Sequence, residues 1–548
     1  MYGAAFMAGT ICACSPPRPV GALPPGRSAS PAAAAAAPFV PTPAPAARKA
    51  RLLAVAGALD DVYRARLSES GATAAAVGIV LEGELVYVGT FGVSDVSSGA
   101  AVDERTVFRI GSLTKSFAAT TILQLRDRGL LQLDAPAVRY LPELARLQSP
   151  SSDAGPITLR HLLTMTSGLP YDDTWGTVSF GYDDAELTRF LEGRPRLSSV
   201  PGERYAYSNL GYALLGRVVE RLTGQHFLDY LRTELLLPLG MTATGAKRPA
   251  RGLAVGYYRD AAQNDALYAE PHPDDGVFAP AGGLYTSLRD YARYLAFQLA
   301  AYPARDAPEE GPLRRSSLRE MHRGQSWLRW NADVPVAKKL AGGALSLSAA
   351  RYGYGWVQQT TCAFDGIVQH GGYEPGYFSY VRLLPQHGLG VVVFSTTAAV
   401  GDSKTFERAM GVLRQGGVLE LPSDNVSPQL AQRIAEVNEL LARFDAARFR
   451  ESFDPDSLRY SWLASIPEAF SRLKRDHGRC EPSGSPQRLG ATEARWLLAC
   501  ERGWLSLSLV LAPTAASQIA SVHWTEHGAS EPIQPASEPF APCGDEGG

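Results

Sequence analysis

Apolar and polar positions divide this chain into elements before any chemistry is considered. From about Arg48, apolar residues recur at helical spacing through Leu59, Val62 and Leu67. Two extended apolar runs follow, 75–81 and 84–92, joined at Glu82-Gly83, and they predict a β-hairpin. Phe117, Ile122 and Leu125 then give one side of a helix that should stop at Arg128-Gly129, a cation followed by glycine. Thr158 is placed to cap a short helix, with Gly168 and Pro170 ending it. Leu215, Val218, Val219 and Leu222 form the apolar face of a further helix, and Ser287 with Asp290 reads as the start of another. Tyr354-Gly-Trp356 opens a strand, and the runs 377–384 and 389–395 form an antiparallel pair around the turn 385–388.

A composition break at 421–428 marks a linker. Beyond it, Leu430, Ile434, Val437, Leu441 and Phe444 make a helical stripe that starts from a Ser427 cap with Pro428 in the first position. The runs 495–500 and 504–511, joined by Glu501-Arg-Gly503, predict a hairpin. One helix and a few antiparallel strands describe a small α+β domain of NTF2-like or cystatin-like type. His477, His523 and His527 read there as surface or packing residues.

The N-terminal segment has a different character. Residues 1–14 are mostly small and apolar, and Ile11-Cys-Ala-Cys14 has the form of a lipobox in which Cys14 would be lipidated. Residues 15–47 are dominated by Pro and Ala and read as a spacer, since they carry little apolar surface to bury. The expected order is therefore a signal or lipobox-like segment (1–14), a linker (15–47), a large domain (48–418), a second linker (419–428) and an accessory domain (429–548). An exported protein of the periplasm or cell envelope, tethered to the membrane through a lipidated N-terminus, is the expectation.

Composition narrows the classes. At 548 residues the chain exceeds what one core usually serves. A net charge of −2 leaves no basic footprint for nucleic acid, and Arg472-Leu-Lys-Arg475 reads as a solvated helix face. The six cysteines, at 12, 14, 362, 480, 500 and 543, show no zinc-ligand spacing, so neither a metal nor another cofactor is expected. In an oxidising compartment Cys480 and Cys500, which flank the run into the C-terminal hairpin, are the expected disulfide, with Cys543 a competing partner.

Chemistry centres on Ser112 and Lys115, three residues apart at the head of the predicted catalytic helix and so on one face of it. A serine hydroxyl needs a neighbouring base to become a nucleophile, and a desolvated lysine can act as one. Alone, Ser-x-x-Lys is also an ordinary helix start followed by a solvated lysine. Two later stretches change that reading: Tyr207-Ser208-Asn209, and His370-Gly371-Gly372 followed by Tyr373.

In this order the three motifs resemble those of the serine β-lactamase and penicillin-binding protein superfamily, in its branch of β-lactamase-related hydrolases, esterases and D-aminopeptidases. The segments 156–170, 238–241 and 280–287 resemble the family too, so that the likeness runs from about residue 50 to 415. It implies an α/β, β-lactamase/transpeptidase-like fold, an antiparallel sheet flanked by helices with an added helical region. It further implies Ser112 as nucleophile, Lys115 and Tyr207 as the proton path, and Asn209, His370, Gly371 and Gly372 as substrate-binding residues. The oxyanion hole would be the backbone NH groups of Ser112 and Tyr373. Tyr205 and His161 are taken as structural. The substrate would be a small molecule or peptide carrying an ester or amide. A β-lactamase or D-Ala-D-Ala carboxypeptidase proper, and a penicillin-binding sensor that is acylated without turnover, remain alternatives. Histidine at 370, where many relatives carry lysine, favours uncharged esters or D-amino-acid derivatives over anionic β-lactams.

Overall fold

The computed structural model describes residues 39–527, apart from 42, 172–180, 261–265, 272–274, 334–345, 362–363, 365, 420–425, 456, 458–464, 489–491 and 513–516. The lipobox-like segment with Cys14, most of the Pro/Ala linker, and Cys362 and Cys543 lie outside the described residues. Strands in chain order are β1 (Ala74–Leu81), β2 (Glu84–Asp95), β3 (Ala100–Ala101), β4 (Val107–Arg109), β5 (Tyr257–Asp260), β6 (Ala266–Ala269), β7 (Tyr285–Ser287), β8 (Ser326–Asp333) and β9 (Ser346–Tyr352). They continue with β10 (Val357–Thr361), β11 (Ile367–Glu374), β12 (Tyr377–Leu384), β13 (Leu389–Thr396), β14 (Cys480–Arg488), β15 (Glu493–Cys500), β16 (Gly503–Leu511) and β17 (Ile519–His527).

Among the described residues the large sheet has nine strands in the order β3-β2-β1-β13-β12-β11-β10-β9-β8. Its register makes it antiparallel throughout, with Ala74 opposite Thr396 and His370 opposite Val381. The predicted hairpin is β1–β2; Glu82 takes positive φ in its turn. Every residue of β1 and β13 is buried, because helices cover both faces. Ala75, Val77, Ile79 and Leu81 face a cluster with Leu59 and Tyr63 of helix Ala56–Ser70 and with Phe406, Met410 and Leu413 of helix Ser403–Gln415. Ala74, Ala76 and Val80 join the main core, which takes in helices Thr114–Asp127, Asn209–Thr223 and Leu288–Leu299. This is the arrangement of antiparallel sheet, flanking helices and helical region that the motifs implied.

Several local expectations shift. In helix Ala56–Ser70 the residue that seals against the sheet is Tyr63, with Val62 half-buried beside it. The short helix capped by Thr158 ends at Leu163, before Gly168, since Met165 already turns into positive φ. The folded body also begins earlier than Arg48. Phe39 is buried, donates its NH to the Pro238 carbonyl at 3.1 Å and meets Phe297 edge-on at 5.5 Å. Arg48 itself is buried, bonding the carbonyls of Val418 and His387 and the Glu82 carboxylate at 2.6 Å. The last residues assigned to the spacer therefore belong to the fold.

The C-terminal unit holds its own core. Its sheet runs β14-β15-β16-β17, all antiparallel, with Leu505, Leu507, Leu509 and Leu511 turned inward. Three helices are described there: Pro428–Ala442, Ala446–Ser452 and Ile466–His477. The last carries Ile466, Phe470 and Leu473 inward, so Arg472 and Lys474 do lie on the outer side of a helix. Cys480 and Cys500 face each other across β14 and β15 and are joined as a disulfide. His477 is buried, with its Nδ1 2.7 Å from the Arg502 carbonyl, and His523 is exposed.

Candidate active site

Ser112 sits in a single tight turn, Gly111–Leu113, that runs directly into helix Thr114–Asp127. Phe117, Ile122 and Leu125 of that helix are fully buried, which fixes its N-terminus, where amide groups and the helix dipole favour developing negative charge. The turn is pressed against the sheet. A Cβ on Gly111 would stand 2.7 Å from the Tyr373 carbonyl oxygen and 2.9 Å from its amide nitrogen. One on Gly372 would stand 2.0 Å from the Ile110 carbonyl oxygen and 2.2 Å from Ser379 Oγ. The Ser379 hydroxyl donates to that same Ile110 carbonyl at 2.7 Å. Only glycines allow β11 to lie this close to the Ser112 turn, and the approach brings the Tyr373 amide beside Ser112.

Lys115 points back along the helix and is fully buried. Its Nζ donates to Ser112 Oγ at 3.0 Å, to Asn209 Oδ1 at 2.5 Å and to the Ala281 carbonyl at 2.8 Å. An ammonium has three protons to give, and these acceptors match them. The Tyr207 hydroxyl bonds Ser112 Oγ from another side at 2.7 Å. Tyr207 and Asn209 flank Ser208, whose side chain accepts from the Gly211 amide and caps helix Asn209–Thr223. Lys115 Nζ also lies 4.8 Å from the centre of the Tyr207 ring. The hydroxyl of Ser112 thus has two proton-exchanging groups within bonding distance, the arrangement that general acid–base catalysis requires.

His370 stands on β11 beside this group, with its ring centre 6.5 Å from that of Tyr207. It is buried; Nδ1 lies 2.6 Å from the Gly371 carbonyl and Nε2 lies 3.1 Å from the Tyr352 hydroxyl. Those partners suit a neutral ring with the proton on Nδ1 and Nε2 accepting from tyrosine. Burial, together with the Lys115 charge, lowers its pKa to about 4. At neutral pH the position is therefore uncharged. The structure brings together Ser112, Lys115, Tyr207, Asn209, His370, Gly371, Gly372 and Tyr373. It keeps Tyr205 against the Tyr352 ring and makes His161 part of the capping box of Thr158, two structural roles as expected.

Sequence reasoning missed three contributors. The Ala281 carbonyl holds Lys115, although the stretch 280–287 was already conspicuous. Tyr352 orients His370. Glu374, immediately after Tyr373, is buried beside Arg109 and Asp275. A carboxylate at the end of a strand that closes the site is a signal the sequence does offer. Among the described residues no group of His, Cys, Asp and Glu is arranged to hold a metal ion.

Comparison with known proteins bears on family and fold. The chain is 30% identical over 379 residues to esterase EstB of Burkholderia gladioli, covering 64% of this chain and 92% of that protein. It is 28% identical over 349 residues to penicillin-binding protein 4 of Amycolatopsis lactamdurans, covering 62% of this chain and 85% of the relative. Among solved structures, an octameric penicillin-binding protein homologue from Pyrococcus abyssi superposes with a TM-score of 0.54 at 20% identity, over 83% of this chain and 96% of that one. A β-lactamase/D-alanine carboxypeptidase from Pseudomonas syringae gives 0.50 at 20% identity, over 67% and 100%. The β-lactamase family model matches residues 59–411, and the chain belongs to that family of serine hydrolases.

Proposed function

We propose that this protein is an exported serine hydrolase that opens an ester or amide through an acyl-enzyme on Ser112. The observation that carries the reading is the placement of Ser112 Oγ within bonding distance of both Lys115 Nζ and the Tyr207 hydroxyl. As Oγ attacks the substrate carbonyl, its proton passes to Tyr207 acting as a phenolate, the form that the neighbouring Lys115 ammonium favours. The oxyanion that forms is received by the amides of Ser112 and Tyr373. The pair then returns the proton to the leaving group, and water, activated by the same groups, releases the acyl chain. Asn209 holds Lys115 and offers its amide to the substrate. No cofactor enters this sequence.

The neutral, buried His370 supports an uncharged carbonyl substrate. A lysine there would meet a substrate carboxylate with a full charge, and His370 at neutral pH does not. The relative named as an esterase points the same way. We therefore assign short-chain esters or D-amino-acid derivatives above penicillins and cephalosporins. The Cys480–Cys500 disulfide fits an oxidising compartment and supports export. No helix among the described residues is long and apolar enough to cross a membrane, and attachment through Cys14 is the form of tether proposed.

The test is kcat/KM for nitrophenyl butyrate, a D-alanine amide and nitrocefin at neutral pH, with Ser112→Ala in parallel. Loss of acylation in the variant with its fold intact supports the nucleophile. Labelling by a fluorophosphonate or penicillin that persists in Ser112→Ala overturns it, and a clear preference for nitrocefin overturns the substrate assignment.

A further inference from the structure

Behind the Ser112 turn lies a buried ionic cluster that the proposed chemistry does not use. Arg109, on β4 and three residues before Ser112, places NH2 2.7 Å from each carboxylate oxygen of Asp275 and 3.5 Å from Glu374 Oε2. The three side chains are 2%, 10% and 12% exposed. The groups facing Glu374 from the surrounding elements are Arg109 on β4, Asp275, Lys115 on the catalytic helix and Tyr285 on β7, the last with Arg248 nearby. Arg109 is shared between the two carboxylates, closer to Asp275, and the next cation, Lys115, is engaged by Ser112, Asn209 and Ala281. Burial is the main cause that pushes Glu374 up to about 7; the cations Arg109 and Lys115 oppose the rise and Asp275 adds to it.

Position gives the cluster its significance. Glu374 follows Tyr373, one amide of the oxyanion hole, and Arg109 leads into Gly111-Ser112, which carries the other. Gly282 is wedged between them. A Cβ there would stand 2.8 Å from Glu374 Oε1 and 3.8 Å from the carbonyl carbon of Gly111, the atom bonded to the Ser112 amide nitrogen. The preceding residue, Ala281, supplies the carbonyl that holds Lys115. The carboxyl group thus packs against Gly282, which separates it from the Ser112 turn and directly follows the residue that supports the proposed base.

We propose that Glu374 is a positioning residue for the oxyanion hole, clamping the Tyr373 and Ser112 amides in register through Arg109, and that the site works best with its carboxyl neutral. This rests on the Ser112 reading above. When Glu374 loses its proton the cluster gains a net negative charge behind the donors that must bind a negative oxygen, and the tetrahedral state becomes harder to form. A unit charge at this range in a partly polarisable interior corresponds to a loss on the order of tenfold in rate.

The experiment follows kcat and KM for nitrophenyl butyrate from pH ~6 to ~9, bracketing the ordinary histidine range, in the wild type, Glu374→Gln, Glu374→Ala and Ser112→Ala. Circular dichroism melting checks the fold of each. In the wild type, kcat/KM should carry a descending limb with an apparent pKa near that of Glu374. Glu374→Gln, which keeps shape and stays neutral, should lose this limb and exceed the wild type at the alkaline end. Glu374→Ala, folded but without the clamp, should lower kcat at all pH values with KM little changed. If Ser112→Ala is inactive while Glu374→Gln keeps the wild-type profile, or Glu374→Ala keeps wild-type kcat, this inference is overturned and the nucleophile stands. If Ser112→Ala still turns over, the parent reading falls and this one with it.

Discussion

Removing a single oxygen at Tyr207 separates chemistry from structure. The hydroxyl is 2.7 Å from Ser112 Oγ, whereas the ring is held independently, near Lys115 Nζ at 4.8 Å and opposite the Tyr171 and His370 rings at 6.3 and 6.5 Å. Tyr207→Phe keeps those ring contacts and deletes the hydrogen bond to Ser112. Such a bond contributes about 1 kcal/mol to stability, so the melting temperature should fall by only about 1 °C in a protein of this size. A positioned proton-transfer group is worth about 10²–10⁴-fold in rate, or roughly 3–5 kcal/mol on the barrier. We therefore expect kcat/KM for nitrophenyl butyrate to drop by about 10²–10⁴-fold with little change in KM. Lys115→Ala should be at least as impaired, because it takes away the donor shared by Ser112, Asn209 and Ala281. The double variant should be no worse than the poorer single one, since both act on the same proton. A Tyr207→Phe enzyme within threefold of wild type (about 0.6 kcal/mol), or strictly additive losses in the double variant, would refute a joint proton path.

The remaining expectations concern stability. His370 and His322 are buried with pKa values lowered to about 4 and about 3 by desolvation, while their unfolded counterparts take up a proton near pH ~6.5. Between those values the unfolded chain binds more protons, so stability is full above pH ~6.5 and declines as the pH falls, by on the order of 3 kcal/mol for His370 if it alone is considered. The urea midpoint against pH should show this slope and His370→Gln should flatten it; an unchanged slope in the variant contradicts the neutral, buried ring. The Cys480–Cys500 bond closes a separation of 20 residues, worth about 3 kcal/mol in the chain-entropy estimate. Reduction or Cys500→Ser should speed hydrogen exchange in β14–β17 while leaving turnover at Ser112 unaltered, and free thiols at both positions in unreduced peptide maps would disprove the bond.

Residues that act through local sequence were legible, and residues that act through the fold were not. Ser112 and Lys115 are joined by one helical turn, and the Tyr207-Ser-Asn209 stretch heads a helix whose apolar stripe is plain. The hairpins at Glu82-Gly83 and 385–388 follow from turn chemistry and alternation. By contrast the Ala281 carbonyl is a backbone atom, which no side-chain pattern announces, and it meets Lys115 only after the sheet and helices have packed. Arg109, Asp275 and Glu374 are far apart in the chain, and although Glu374 ends the strand that closes the site, only the packed fold joins it to the other two as a cluster. Phe39 was hidden by its Pro/Ala surroundings, since one aromatic ring carries no period. In helix Ile466–His477 the basic run is the feature that stands out in sequence, while Ile466, Phe470 and Leu473 give the helix a buried face.

The seam of the large sheet has a consequence for how the protein is made. β1 and β13, from opposite ends of the hydrolase body, lie side by side as the third and fourth strands of the sheet, and both are buried along their whole length. A nascent chain therefore carries β1 with an unmatched, wholly apolar edge until nearly all of the body has been synthesised. No N-terminal fragment that stops short of Thr396 can complete this pairing. Such a chain has no half-way folded resting state on that side, and it must be kept from sticking to its neighbours until the last strand arrives to close it.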